Sequence, residues 1–144
     1  MPPVSITAEP SLAAAVALLR AAELPTEDLT DSHLQHFFMA SSPNVAVGLV
    51  GLELHGCDAL LRSLVVDPNS RTKGIGSQLV EHAETYARAR GVASLYLLTT
   101  TAERFFAHRG YARVERRNAP ESISTTREFS SICPASSAFM LKRL

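Results

Sequence analysis

Arg71-Thr72-Lys73-Gly74-Ile75-Gly76 separates a strand-like run, Leu60-Leu61-Arg62-Ser63-Leu64-Val65-Val66 closed by Asp67-Pro68, from an amphipathic helix. Two glycines let the backbone turn tightly and bring its N–H groups close to a ligand, and the opening helix adds unpaired N–H groups and the positive end of its dipole. Arg71 and Lys73 at the mouth add charge suited to phosphate. The segment from Arg71 through Thr72, Lys73, Gly74, Ile75 and Gly76 to Ser77 is therefore a candidate anion cradle, with a plain strand-to-helix turn as the alternative. Neither G-x-x-x-x-G-K-S/T nor G-x-G-x-x-G occurs, so the common nucleotide loops do not apply.

Outward from this loop the chain alternates in character. Ser11 to Ala22 predicts a helix stopped before Pro25, and Pro25-Thr26-Glu27-Asp28 predicts a second, short helix capped by Thr26. Gln35 to Ala40, Asn44 to His55 and Leu60 to Val66 predict an antiparallel meander. Ile75, Leu79, Val80, Ala83, Tyr86 and Ala87 recur at helical spacing, which predicts a helix from Gly74 to Arg90 stopped by Gly91. The apolar run Ser94 to Thr100 predicts a strand covered on both faces. From Asn118 to Pro134, Pro120 and the stripe Ile123, Thr126, Arg127, Phe129 and Ile132 predict a short helix before a last strand near Ser137 to Lys142.

The chain has 144 residues, which points to one domain with a substantial core. Its 14 basic and 14 acidic residues balance, so no long-range field recruits nucleic acid or a membrane, and a small-molecule partner is expected. Cys57 and Cys133 are too few for a disulfide framework and lack C-x-x-C spacing, so no metal site is expected. Without a signal-peptide pattern or a run of about 18 apolar residues, the expected location is the cytoplasm.

The loop at Arg71 to Gly76 resembles the R/Q-x-x-G-x-G/A loop of the GNAT superfamily, the Gcn5-related N-acetyltransferases. Ala102-Glu103-Arg104-Phe105-Phe106-Ala107-His108-Arg109-Gly110-Tyr111 resembles that superfamily's later A-x-x-F-Y/F-x-x-x-G-F/Y pattern. The resemblance covers nearly the whole chain and implies a single domain over residues 1–144. Its implied fold is α/β (α+β): a mixed, mostly antiparallel sheet flanked by helices, here with a short helical insert before the last strand. It further implies acetyl-CoA as cofactor, with its pyrophosphate on the Arg71 to Ser77 loop, its thioester carbonyl polarised by a backbone N–H at Leu64, Val65 or Val66, and its pantetheine arm beside Phe105 and Phe106. A homodimer is the family's common habit. The family's usual general acid is a tyrosine at the position of Phe106, which has no proton to give. Solvent, Tyr96, Tyr111 or Ser63 are the substitutes, and Thr99 stands where the family often has asparagine.

For the acceptor amine, Glu53 is the first candidate base, because strand alternation sets it beside Leu49, Gly51 and His55 on one face. A salt bridge from Glu53 to Arg62 is the competing reading. Arg62, on an otherwise apolar strand, must meet an anion: a substrate carboxylate or phosphonate-like group, or an internal acid such as Glu53 or Glu9. Ser63, Arg127 and Phe129 complete the candidate substrate residues, with an exposed helix charge as the alternative for Arg127.

Leu24 to Leu29, Leu61 to Val66 and especially Thr126-Arg127-Glu128-Phe129-Ser130-Ser131-Ile132-Cys133-Pro134-Ala135-Ser136 resemble small GNAT proteins of bacterial arsenic-resistance operons. That likeness implies an amino-acid-like arsenical or phosphinate as acceptor. Two other classes compete: a catalytically silent acyl-CoA-binding module, and an arsenical-binding protein using Cys57 and Cys133.

Overall fold

The computed structural model describes residues 4–24, 26–42, 45–68, 74–130 and 136–144, with the backbone alone at 131–132. Seven strands form one sheet: β1 (Ser5–Ala8), β2 (Phe37–Ser42), β3 (Val45–His55), β4 (Asp58–Val66), β5 (Ser94–Thr99), β6 (Ala112–Arg113) and β7 (Ala138–Arg143). Their spatial order is β1-β2-β3-β4-β5-β7-β6. Every neighbouring pair is antiparallel except β4 with β5. That one parallel pair exists because a helix, α2 (Ile75–Ala89), carries the chain from β4 back to the start of β5. The mixed, mostly antiparallel α/β architecture is as expected from the sequence.

The sheet is covered on both faces. On one, the stripe Ile75, Leu79, Val80, Ala83 and Ala87 of α2 is buried with Val50, Leu52, Leu61, Leu95, Leu97 and Phe106. On the other, Ala15 and Leu19 of α1 (Leu12–Ala21) pack with Phe37, Met39, Leu49 and Val65. Beside them Leu60, Tyr96 and Phe139 are closed off by Ile123 of α4 (Glu121–Ser124). The remaining helix, α3 (Glu103–Ala107), follows β5 and buries Phe106.

Four expectations change. Strand β1 was not anticipated; it pairs Ser5 to Ala8 with Ser41 to Phe38 at the sheet edge. No α-helix starts at Thr26: the chain makes a turn closed by Leu29 N–H to Thr26 O at 3.0 Å, because Asp28 and Leu29 turn inward and are buried. A 3-10 turn at His33–His36 follows, so β2 starts at Phe37 rather than Gln35. The predicted late helix is broken into α4 and a wide π-helical turn at Glu128–Ile132. Ile123 is nonetheless fully buried, a contribution of about 1.5–3 kcal/mol, so α4 adds to the core.

Candidate active site

β4 and β5 pair from Asp58 and Ser94 to Leu61 and Leu97 and then part, although β4 continues to Val66 and β5 to Thr99. The parting has a local cause. Gly51 of β3 pairs with Arg62 and Leu49 with Val65, so Ser63 and Leu64 together face the single residue Val50. This is a β-bulge, and Ser63 adopts the left-handed conformation (φ 60°) that it imposes. Between the parted strands lies a cavity of about 400 Å3, walled by Arg62, Ser63 and Leu64 on one side and Leu98 and Thr99 on the other. Beyond the bulge β4 no longer pairs with β5, and this is the stretch, Leu64 to Val66, where the resemblance puts the carbonyl-polarising N–H.

The glycine loop enters α2 at the same end of β4. Gly74 is the N-cap and holds φ 73°, a conformation a side chain would resist. Gly76 has a different reason: a Cβ there would lie 3.3 Å from Phe105 Cζ and 3.7 Å from Val66 Cγ2. Its lack of a side chain thus lets α3 approach the first turn of α2. Arg71, Thr72 and Lys73 lie outside the described residues. Arg109 supplies charge near the same turn. Its guanidinium lies 3.7 Å over the Phe105 ring, donates to Phe105 O at 2.9 Å and donates to Ser77 Oγ.

Of the two partners the sequence left open for Arg62, a substrate anion or an internal acid, the structure shows internal acids. Arg62 Nη1 donates to Asp28 Oδ2 (2.5 Å) and Glu53 Oε2 (2.7 Å). Nη2 meets Asp28 Oδ1 (2.8 Å) and Glu128 Oε1 (2.7 Å), and Nε donates to Ser63 Oγ (3.1 Å). All five guanidinium N–H groups are therefore occupied by the protein. Burial disfavours the charged form of Arg62, but the bond to Asp28 and the charges around it prevail and raise its pKa. Burial likewise pushes the Asp28 carboxyl up, and the Arg62 hydrogen bond and charge outweigh it, holding Asp28 below the usual carboxylate range.

Of the three acids, Glu128 lines the cavity whereas Asp28 and Glu53 stand behind Arg62. Glu53, the sequence's candidate base, is committed to Arg62 through Oε2 and has His55 Nε2 3.7 Å from Oε1. Phe129 packs edge-on against Phe139, 5.2 Å between centroids, instead of facing the cavity wall. Arg127 is not on that wall either.

The tyrosines considered as proton donors sit elsewhere. Tyr111 donates to Glu84 Oε2 at 2.8 Å, and burial together with the Glu84 charge pushes its phenol well above the usual range. Tyr96 stacks on Phe139, and burial and the Asp58 charge raise its pKa. Neither lines the cavity; Phe106 does. Thr99 Oγ1 accepts from Ala102 N–H at 3.0 Å and so fixes the start of α3. Ser137 is a residue the sequence reading did not weigh. It is buried on the cavity wall, and its Oγ has no hydrogen-bond partner among the described residues. Glu128 and Asp28 were also missed, since nothing local to either shows that Arg62 gathers them. Cys57 is exposed, and Cys133 lies outside the described residues.

Comparison with known proteins agrees with this geometry. An N-acetyltransferase of Chlorobaculum tepidum, itself described as uncharacterised, is 34% identical over 92 residues, covering 63% of this chain and 59% of that protein. An amino-acid acetyltransferase of Pseudomonas fluorescens is 43% identical over 58 residues, which are 39% of this chain and only 13% of the relative. Among solved structures, N-acetylglutamate synthase from Neisseria gonorrhoeae, complexed with coenzyme A and L-arginine, superposes with a TM-score of 0.84 at 23% identity. That likeness covers 100% of this chain and 34% of the synthase. Rv2747 from Mycobacterium tuberculosis, in complex with CoA, gives a TM-score of 0.77 at 20% identity over 99% of both chains. A model of the acetyltransferase (GNAT) family matches residues 9–114, and the chain belongs to that family.

Proposed function

We propose that the chain is one acetyltransferase domain, residues 1–144, which transfers an acetyl group directly from acetyl-CoA to the amine of a small molecule. The observation that carries this reading is the cleft between β4 and β5. A bulge at Ser63 and Leu64 lies where β4 parts from β5, and the glycine turn into α2 stands at the same end of β4. The thioester arm would lie in the cleft with its carbonyl toward the N–H groups of Leu64 to Val66, which stabilise the oxyanion as it forms. The pyrophosphate would sit on the Arg71 to Ser77 segment, with Arg109 near its end at Ser77. Phe105 and Phe106 would flank the arm.

The neutral amine nitrogen attacks the thioester carbon, the C–N bond forms, and the C–S bond breaks with its electrons going to sulfur. Nitrogen gives up one proton to solvent and the departing thiolate takes one up, leaving the amide and the free thiol of coenzyme A. Glu23 and Glu128 are the acids on the described cavity wall, and Glu128 is the one tied to Arg62 and its network. Arg62, Asp28 and Glu53 then act as positioning residues that hold Glu128 in place. Ser63, with Oγ accepting from Arg62, ties the same network to the bulge.

The finer reading, an amino-acid-like arsenical or phosphinate as acceptor, draws support from the resemblance at Thr126 to Ser136. It also draws on relatives named as amino-acid acetyltransferases. Arg62 gives it none, having no free donor. A silent acyl-CoA-binding module is the second reading, favoured by Phe106 and by the absence of both candidate tyrosines from the described cavity wall. No helix among the described residues is long and apolar enough to cross a membrane. A cytoplasmic location and a homodimer remain part of the proposal.

Calorimetric titration with acetyl-CoA, followed by mass spectrometry of an amine panel after incubation, tests the reading. Binding with acetylated product supports transfer. Binding without any product supports the silent module, and absence of binding removes both.

A further inference from the structure

The hydroxyl side chains on the described cavity wall are those of Ser63, Thr99, Thr100, Thr101 and Ser137. Two of them already serve the protein: Ser63 Oγ accepts from Arg62 Nε, and Thr99 Oγ1 accepts from Ala102 N–H. Thr100 and Thr101 are exposed. Ser137 differs from all four. It is 5% exposed, and its Oγ has neither donor nor acceptor among the described residues. A buried hydroxyl without a partner costs stability, and an apolar side chain of similar size would serve the core better. The hydroxyl is therefore matched to something that enters the cavity.

Its placement says which chemistry it meets. Ser137 immediately precedes β7, whose first residue Ala138 pairs with Thr99 of β5. Its carbonyl accepts from Arg116 Nη2 at 3.1 Å, which fixes the backbone there. The side chain thus stands beside the end of β5, where β5 has parted from β4 and where Ser63 and Leu64 form the facing wall. That is the stretch at which the thioester would lie. The transfer must carry a proton from nitrogen to sulfur, yet Phe106 has none to give, and Tyr96 and Tyr111 are not on the described wall. A hydroxyl has one proton and two lone pairs, so an uncommitted one can accept from one group while donating to another.

We propose that Ser137 is a catalytic residue, a proton shuttle whose Oγ takes a proton from the attacking nitrogen while its own proton passes to the departing sulfur. The inference rests on the acetyl-transfer reading and deepens it, giving Ser137 the exchange otherwise left to solvent. The neutral amine forms the C–N bond, and its nitrogen becomes cationic. The C–S bond then breaks with its electrons going to sulfur. In the same step the N–H electrons stay on nitrogen and that proton bonds to Oγ, while the O–H electrons stay on oxygen and the serine proton bonds to sulfur. Serine is regenerated, and the products are the amide and the free thiol of coenzyme A. Because both protons move together, Oγ never carries a full charge, which suits a hydroxyl too weak as an acid to protonate a thiolate alone.

The test uses whichever acceptor wild-type protein acetylates best among butylamine and the proteinogenic amino acids. Ser137→Ala is expected to lower kcat about hundredfold, with acceptor KM within about twofold of wild type. Calorimetric titration should return the wild-type acetyl-CoA affinity, and the thermal denaturation midpoint should not fall, since the hydroxyl gives up no bond within the described protein. Ser137→Thr keeps a hydroxyl and should recover most of kcat. Near-wild-type kcat in Ser137→Ala overturns the proposal and leaves acetyl transfer standing, as does a threonine variant no faster than the alanine one. A raised acceptor KM at unchanged kcat overturns it too and makes Ser137 a binding contact. Loss of kcat together with a lowered midpoint or weakened acetyl-CoA binding overturns it in favour of a structural role. Wild-type protein that binds acetyl-CoA but acetylates nothing in the panel defeats the acetyl-transfer reading itself, and the shuttle with it.

Discussion

Asp28 accepts from both terminal nitrogens of Arg62, at 2.5 Å and 2.8 Å, which fastens the turn after α1 to β4. Removing the guanidinium leaves Asp28, Glu53 and Glu128 together without their shared cation. Arg62→Met is expected to lower the unfolding free energy by about 3–5 kcal/mol in urea denaturation. Arg62→Lys should recover little of it, because three donors on a point charge cannot replace a five-donor fork. Wild-type stability in the lysine variant would contradict this account and reopen Arg62 as a substrate contact.

The same pair sets a pH dependence. Asp28 titrates lower in the folded chain than its ordinary 3.8, so the stability it contributes is fully present above that value. It is lost as pH falls through the lower folded-state value. Denaturation midpoints measured from pH 6 to pH 2 should therefore decline toward the acid end. Asp28→Asn, less stable at neutral pH, should show a shallower decline. Parallel curves for the two proteins would dismiss the linkage.

Gly76 and Phe105 give a graded series. A methyl at Gly76 needs its neighbours to yield by a few tenths of an ångström, whereas valine's two further methyls reach into the Phe105 ring, which the Arg109 guanidinium also packs against. Gly76→Ala should bind acetyl-CoA slightly less well. Gly76→Val should lose about tenfold or more in affinity with a near-native far-UV spectrum, since the arm and the α2 turn no longer meet as before. An unchanged isotherm for the valine variant would separate this turn from the cofactor.

Tyr111 belongs to the frame of the molecule. Its hydroxyl and Lys142 Nζ both reach Glu84, joining α2 to the segment after α3 and to β7. Tyr111→Phe removes one of those bonds and should cost about 1–3 kcal/mol of stability. The pH profile of turnover should not change. A lost alkaline or acidic limb in that profile would restore Tyr111 as a proton donor.

Periodic and local signals were legible in the sequence. The spacing of Ile75, Leu79, Val80, Ala83, Tyr86 and Ala87 foretold α2, in which all but Tyr86 are buried, and the strand read from Asn44 to His55 corresponds to β3, Val45–His55. Strand β1 left no such mark, because four residues paired along one edge need little hydrophobic pattern. The turn at Thr26 read as a helix start because Thr-Glu-Asp is good capping chemistry. A partner 34 residues away, Arg62, draws Asp28 inward instead. Glu128 escaped notice for the same reason: its importance comes from Arg62, and its neighbours Arg127 and Phe129 were the more conspicuous. Arg62 itself was correctly recognised as an arginine that must meet an anion. What the sequence left open between substrate and internal acid was decided by the count of donors.

The most direct measurement is mass-spectrometric detection of amine acetylation, with release of the free thiol of coenzyme A followed in the same reaction. The account predicts one acetylated amine formed for each thiol released, at a rate that depends on both substrates and is strongly reduced in Glu128→Gln while acetyl-CoA affinity is retained. Tight acetyl-CoA binding with no acetylated product from any small amine would contradict it, and would assign the cleft to binding alone.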